Sequence, residues 1–335
     1  MKICFKLACF LFGSYYAVSG HTNAPSQTLV SPAIDFFTAQ PAHPKNIWSI
    51  TGVLKNEADE PMGFSFNLYQ QNHTYQVVAA IIDINQKNIV WQKQEQIAMD
   101  DKSQSIEQVG AFFWHFSPIN ASLIVGYEDK QSQAFNLKID LLEPTTITQT
   151  SSLTKNLKFK QYWSGRVNGH FNLNGTEQFV SSDNFWLQQL WQNQNDAQQH
   201  AFEELLCKFQ DGGALFAIQL HEQQTIHAAL AGKFDALGQK QAISQFINIK
   251  PPSENSFDIV LEKNKYALHL NQLFNQPDIQ VFSGQIQPGD NPGFCIYQLN
   301  PWRSMQDIKP IIKPKDSFLA KTIAFRKNPL KSPSI

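Results

Sequence analysis

Short stretches in which apolar and polar side chains alternate recur along this chain. Phe64, Phe66 and Leu68 alternate with Ser65, Asn67 and Tyr69, the two-residue period of a strand with one apolar face. The same period runs from Val167 to Leu173 and ends at Asn174-Gly175, a hairpin signal because both residue types tolerate positive φ. Ala214 to Leu220, Phe257 to Leu261, Tyr266 to Leu270 and Phe294 to Leu299 read as further strands. Many short strands with turn signals between them predict an all-β chain of barrels or sandwiches. One segment competes with that reading: Ala197 to Phe209 is rich in Ala, Gln, Glu and Leu, which by propensity favour a helix.

The 335 residues suffice for two domains with cores of their own. A Thr/Ser-rich stretch with Pro144, Glu143 to Asn156, marks the boundary and predicts domains over 45–150 and 151–302. Lys2 and Lys6 precede an apolar run, Leu7 to Phe12, which is followed by the small residues Ala17, Ser19 and Gly20. That is the layout of a secretory signal peptide over 1–20, so the mature chain is expected to be exported, periplasmic or secreted. Residues 21–44 form a polar, Pro-punctuated leader, and 303–335 a Lys/Pro-rich tail. The tail could touch an anionic membrane surface, although a solvated tail fits its composition as well. After cleavage only Cys207 and Cys295 remain. An oxidising compartment permits a bond between them, and two buried thiols are the simpler expectation. A net charge of −1 gives no reason to expect a nucleic-acid partner.

Three pieces in fixed order carry a resemblance: Gln161 to Gly169, Asn184 to Gln192, and Phe202 to Gly212. Together they resemble the hydroxyneurosporene synthase (carotenoid 1,2-hydratase) and AttH-like family, whose patterns read Y-W-x-R-M-x-V-x-G, W-M-D-H-E-W and W-D-W-F-S-L-Q-L-D-D-G. Lys45 to Gly52 looks like the family's opening strand and Gly293 to Trp302 its closing one. The resemblance implies two lipocalin-like barrels with a pocket at or near their junction. It also makes Phe202 to Phe209 a strand, with Glu203, Leu205, Cys207 and Phe209 on one face and Glu204, Leu206 and Lys208 on the other.

The chemistry the resemblance implies is hydration of a polyene end, in which a proton reaches a double bond and water meets the cation. Such a step needs a titratable acid beside an apolar pocket, and aromatic walls suit the cation. Where the family has Asp-His-Glu this chain has Gln188, Gln189 and Leu190. Amides neither give nor take protons near neutrality, so acid–base work at that spot is not expected. Gln188 and Gln189 could instead orient a carbonyl or hydroxyl between Trp186 and Trp191, or simply bond to backbone at a barrel rim. Tyr162 and Arg166 complete the ligand-binding candidates. Glu203 aligns with the family's Asp and is the sharper catalytic candidate, unless Arg166 pairs with it as a structural salt bridge. His115, in Phe112-Phe113-Trp114-His115-Phe116, matches the family's F-x-x-H-F and is the second, facing the junction or filling a core position.

No metal-ligand spacing, phosphate-binding Gly loop or nucleophile elbow is present, so no metal or cofactor is expected. The reading favoured by the sequence is an exported protein that binds a hydrophobic small molecule (an isoprenoid, polyene or lipid), with hydratase chemistry altered or lost. An active hydratase or isomerase, and a secreted interaction module without ligand, are the alternatives.

Overall fold

The computed structural model describes residues 45–98, 107–117, 119–129, 133–141, 151–154, 157–164, 166–173, 175–183, 185–192, 201–222, 225–244, 256–261, 264–275, 279–287 and 291–299. The expected signal peptide, leader and basic tail lie outside them, as does most of 143–156.

Alternation becomes strand wherever it was read, and the described residues contain strands and turns without a helix. The first sheet comprises β1 (Lys45–Asn56), β2 (Pro61–Gln71), β3 (Thr74–Asp83), β4 (Asn88–Ala98), β5 (Gln108–Val109), β6 (Phe112–Ser117) and β7 (Ser122–Glu128). It continues with β8 (Gln133–Asp140), β9 (Ser151–Ser152), β10 (Leu157–Ser164), β11 (Arg166–Leu173), β12 (Thr176–Ser182) and β13 (Phe185–Gln192). The second comprises β14 (Ala201–Phe209), β15 (Ala214–Glu222), β16 (Thr225–Phe234), β17 (Lys240–Ser244), β18 (Ser256–Leu261), β19 (Asn264–Asn275), β20 (Ile279–Gln287) and β21 (Asn291–Leu299). Phe202 to Phe209 is therefore strand: burial on both faces overrides the helix propensity of its residues.

Sheet membership changes between Gln192 and Ala201, so β9 to β13 belong with the N-terminal strands. The first sheet runs β4-β3-β2-β1-β12-β11-β8-β7-β6-β5, with β13 on the other half of β1 and β10 beyond it. This path curls until its ends meet. The Ala111 N–H, at the turn between β5 and β6, donates to Glu95 Oε2 of β4 at 2.7 Å. Gly110 makes that approach possible: its φ is +57°, and a Cβ there would stand 1.4 Å from Glu95 Oε2. Phe64, Phe66, Phe112, Phe135, Phe171, Phe185 and Leu187 fill the barrel-like interior.

The outer face of β1, β2, β3, β10 and β13 is apolar too, and the second sheet covers it. Ile47, Tyr69, Val78, Phe159, Trp186 and Leu190 from the first sheet form one core with Leu206, Phe216, Ile218, Phe234, Phe294 and Ile296 from the second. Trp186 stands edge-on to Phe216 and Phe234, with centroids 5.7 and 5.8 Å apart. Gly63 of β2 lets the sheets close, since a Cβ there would lie 2.8 Å from the Phe294 ring. The second sheet follows the order β17-β16-β15-β14-β21-β20-β19-β18. Cys207 and Cys295 stand directly opposite each other on β14 and β21 and are disulfide-bonded, which corrects the expectation of two free buried thiols.

Candidate functional site

Both faces of β13 are covered, so all of Phe185 to Gln192 is buried. Alternation sends Phe185, Leu187, Gln189 and Trp191 to one face, and Trp186, Gln188, Leu190 and Gln192 to the other. The four residues read as a group in the sequence are thus divided. Trp186 and Gln188 face the second sheet. Gln189 stands beside Trp48 on the barrel side, and Trp191 lies further along that side with the Lys160 ammonium 5.9 Å from its ring centre.

On the inter-sheet side a polar row crosses the strands. Gln161, Gln188, Ser49 and Asn67 stand directly opposite one another on β10, β13, β1 and β2. Gln161 Nε2 donates to Gln188 Oε1 at 3.0 Å, and Gln188 Nε2 donates across the sheets to Glu204 Oε1 at 2.5 Å. Glu204 has no exposed surface. Burial pushes its carboxyl up to about 8, against a smaller downward pull from the Gln188 hydrogen bond, so at neutral pH it is mostly the protonated acid. Tyr69, equally buried, has its hydroxyl held far above the usual phenol range by burial and then by the Glu204 charge. Ser49 Oγ, Asn67 Oδ1, Tyr69 Oη, Glu204 Oε2 and both amide atoms of Gln298, directly opposite Glu204 on β21, have no hydrogen-bond partner. Each such buried group costs about 1–3 kcal/mol.

Glu203 points the other way, with Leu205, Cys207 and Phe209, as the strand reading expects. Its carboxylate is the centre of a second cluster. Tyr297 Oη donates to Glu203 Oε1 at 2.5 Å, and His221 Nε2 lies 2.7 Å from Glu203 Oε2. Gln219 stands directly opposite Glu203, and the nearby wall is Leu205, Leu215 and Ala217, all buried. Burial first, then the charge and hydrogen bond of Glu203, raise the Tyr297 hydroxyl far above its ordinary value, fixing it as a donor. Nε2 faces the Glu203 carboxyl, so Nδ1 lies on the opposite side of the imidazole ring. Glu203 is nearly buried while the His221 side chain keeps 22% exposure, so the imidazole is the reachable end of the cluster.

The other candidates lie apart from both clusters. Arg166 is exposed and its Nε donates to Asp140 Oδ2 at 2.7 Å. Burial alone would raise the Asp140 carboxyl, but Lys138 and Arg166 outweigh it and hold the group below its usual value. The alternative pairing of Arg166 with Glu203 gives way to this one. His115 is exposed on β6, 3.6 Å from Glu107, while its neighbours Phe112 and Trp114 take the buried face. It therefore faces neither the junction nor a core. Tyr162 is partly buried and packs against the barrel core.

His221, Tyr297 and Glu204 escaped the sequence reading. His221 and Tyr297 join Glu203 only through the pairing of β15 and β21 with β14, which no local spacing reveals. Among the described residues no group of three or more His, Cys, Asp or Glu is placed to hold a metal.

No family model and no curated protein matches the chain in sequence. Solved structures match its fold. A protein from Nitrosomonas europaea described as an AttH candidate superposes with a TM-score of 0.57 at 12% identity, covering 82% of this chain and 98% of its own. Kievitone hydratase from Nectria haematococca gives a TM-score of 0.58 at 9% identity, covering 80% of this chain and 91% of that one. The lipocalin-like, all-β architecture is thus shared with AttH-like and hydratase-type proteins.

Proposed function

We propose that this chain binds a hydrophobic small molecule of the isoprenoid, polyene or lipid class, with the Glu203–His221–Tyr297 cluster as the polar end of its site. The observation that carries the reading is that cluster itself: a nearly buried carboxylate, fed by a tyrosine hydroxyl, orients a partly exposed histidine beside an apolar wall. Such a histidine accepts a hydrogen bond from a ligand hydroxyl, or donates one when protonated.

A second reading is proton transfer on that ligand, by an enzyme of the hydratase or isomerase type. It is favoured by the same geometry. Glu203 stabilises the imidazolium that forms when Nδ1 takes a proton from a hydroxyl, or from water attacking a polarised double bond, and the proton then returns to product. The similarity in fold to kievitone hydratase is compatible with this reading and supplies no residue for it. The sequence resemblance to the carotenoid hydratases points the same way through Glu203 alone.

Export is part of the proposal. The Cys207–Cys295 bond supports it, because disulfides persist in oxidising compartments. The function is tested by incubating the full chain with a cellular lipid extract and analysing the co-purifying molecules. His221→Ala should lower recovery of the specific molecule several-fold, and Glu203→Gln should abolish any turnover while the fold is retained. Unchanged recovery and turnover in both variants would remove the cluster from the site.

A further inference from the structure

We infer that the rim beside the Glu203 cluster docks on an anionic lipid bilayer, with Ile226 and Leu299 as its apolar contacts and the basic C-terminal segment as its charged one. Docking stands apart from the ligand reading, because a bilayer is bound whether or not the cluster holds a ligand.

Among the described residues the exposed large apolar side chains are Ile119, Phe179, Ile226, Leu237 and Leu299. Two of these five border the cluster. Leu299 stands directly opposite Glu203 across β14 and β21, and Ile226 stands directly opposite His221 across β15 and β16. Directly opposed residues share a face of the sheet. Ile226, His221, Glu203 and Leu299 therefore follow one another across four neighbouring strands. At about 4.8 Å per strand the two apolar residues lie roughly 14 Å apart, with the reachable imidazole between them. Glu203, the acid in this row, is nearly buried and bonded to Tyr297 and His221, so little of its charge faces outward.

The course of the chain brings the charge to the same place. β21 ends at Leu299, so the residues that follow it start from this rim. Residues 303–335 hold eight Lys or Arg and two Asp, a net +6, while the whole chain carries −1, which leaves −7 on residues 1–302. A cationic segment set off in this way is attracted to anionic lipid. Its composition also suits a bilayer better than water alone. Ile311 and Ile312 stand before Lys313, and Phe318 and Leu319 before Lys321. At headgroup level such apolar residues are buried while the cations meet phosphate. An apolar rim with a basic, apolar-interleaved segment attached to it selects a bilayer over a soluble anion.

Flotation with vesicles of phosphatidylglycerol and phosphatidylcholine in equal parts, against phosphatidylcholine alone, tests the inference. The chain from residue 21 onward is used, because loss of 1–20 removes an apolar run and leaves every described strand intact. Partition into the anionic vesicles should be at least about tenfold stronger and should fall with salt. Lys309→Ser, Lys313→Ser and Lys315→Ser combined should weaken it about tenfold or more. Ile226→Asp with Leu299→Asp should also weaken it about tenfold, by removing the apolar contacts. A second measurement keeps the fold in view. Because Cys207 and Cys295 are bonded, Ile226→Cys leaves a single free thiol in 21–335 for a nitrobenzoxadiazole label. That label should brighten and shift to the blue on the anionic vesicles, whereas the same label at Glu177→Cys, exposed on β12 of the first sheet, should not. Equal partition into both vesicle types, unchanged flotation of the Ile226–Leu299 double variant, or the same response from both labels would each overturn the docking surface.

Discussion

Glu203 and Glu204 are neighbours in sequence and live in different chemical environments, because a strand turns successive side chains to opposite faces. Glu203 is a hydrogen-bonded acceptor between Tyr297 and His221, whereas Glu204 is sealed among Gln188, Tyr69 and apolar residues. The pH dependence of stability should carry the signature of Glu204. Its carboxyl is raised from about 4.5 to about 8, so the folded state keeps a proton that the unfolded chain releases. Its contribution is fully present below the unfolded value and is lost as pH rises through about 8, roughly 5 kcal/mol as an upper figure. Burial also raises the Tyr69 hydroxyl across the seam between the sheets and lowers the Lys208 ammonium further along β14. Glu204→Gln should therefore flatten the urea-denaturation profile between pH 5 and pH 9. A wild-type slope surviving in Glu204→Gln would place its origin elsewhere.

Elements show how much was legible and where legibility stopped. Period-two alternation located β2, β11, β15, β18 and β21, and the resemblance corrected the helical composition of Ala197 to Phe209 to strand for the part described, β14. In β13 the pattern hid the answer: with both faces buried, Trp186-Leu187-Gln188-Gln189-Leu190-Trp191 has no polar side to reveal that its tryptophans diverge. His115 was misplaced for a related reason, since Phe112-Phe113-Trp114-His115-Phe116 is apolar almost throughout and only the sheet shows which face is wet. The closure of the first sheet depends on a short tie that no pattern marks. Gly110→Ala should clash with Glu95 and break the Ala111 N–H bond, costing about 1–3 kcal/mol. Hydrogen exchange would show faster opening at Ala111 and along β5 and β6, and unchanged exchange there would refute the tie.

At the scale of the whole molecule, two sheets pack on one apolar core, and the polar clusters sit on both faces of β14, a strand of the second sheet. The pairing of β14 with β21 carries Glu203, Glu204, Tyr297, Gln298 and the disulfide together. Cys207 and Cys295 are 88 positions apart, so the bond restricts a long loop and should contribute on the order of 4 kcal/mol. Reduction should lower the thermal midpoint by several degrees and loosen both clusters. Equal midpoints with and without reductant would mean that strand pairing alone holds them. The central claim, binding of a hydrophobic small molecule at the Glu203 cluster, is tested most directly by mass spectrometry of organic extracts from the full chain and from His221→Ala, each incubated with the same lipid extract. One specific isoprenoid, polyene or lipid recovered with the wild-type chain, and several-fold less with the variant, is the predicted result. Nothing above background with the wild-type chain would contradict it.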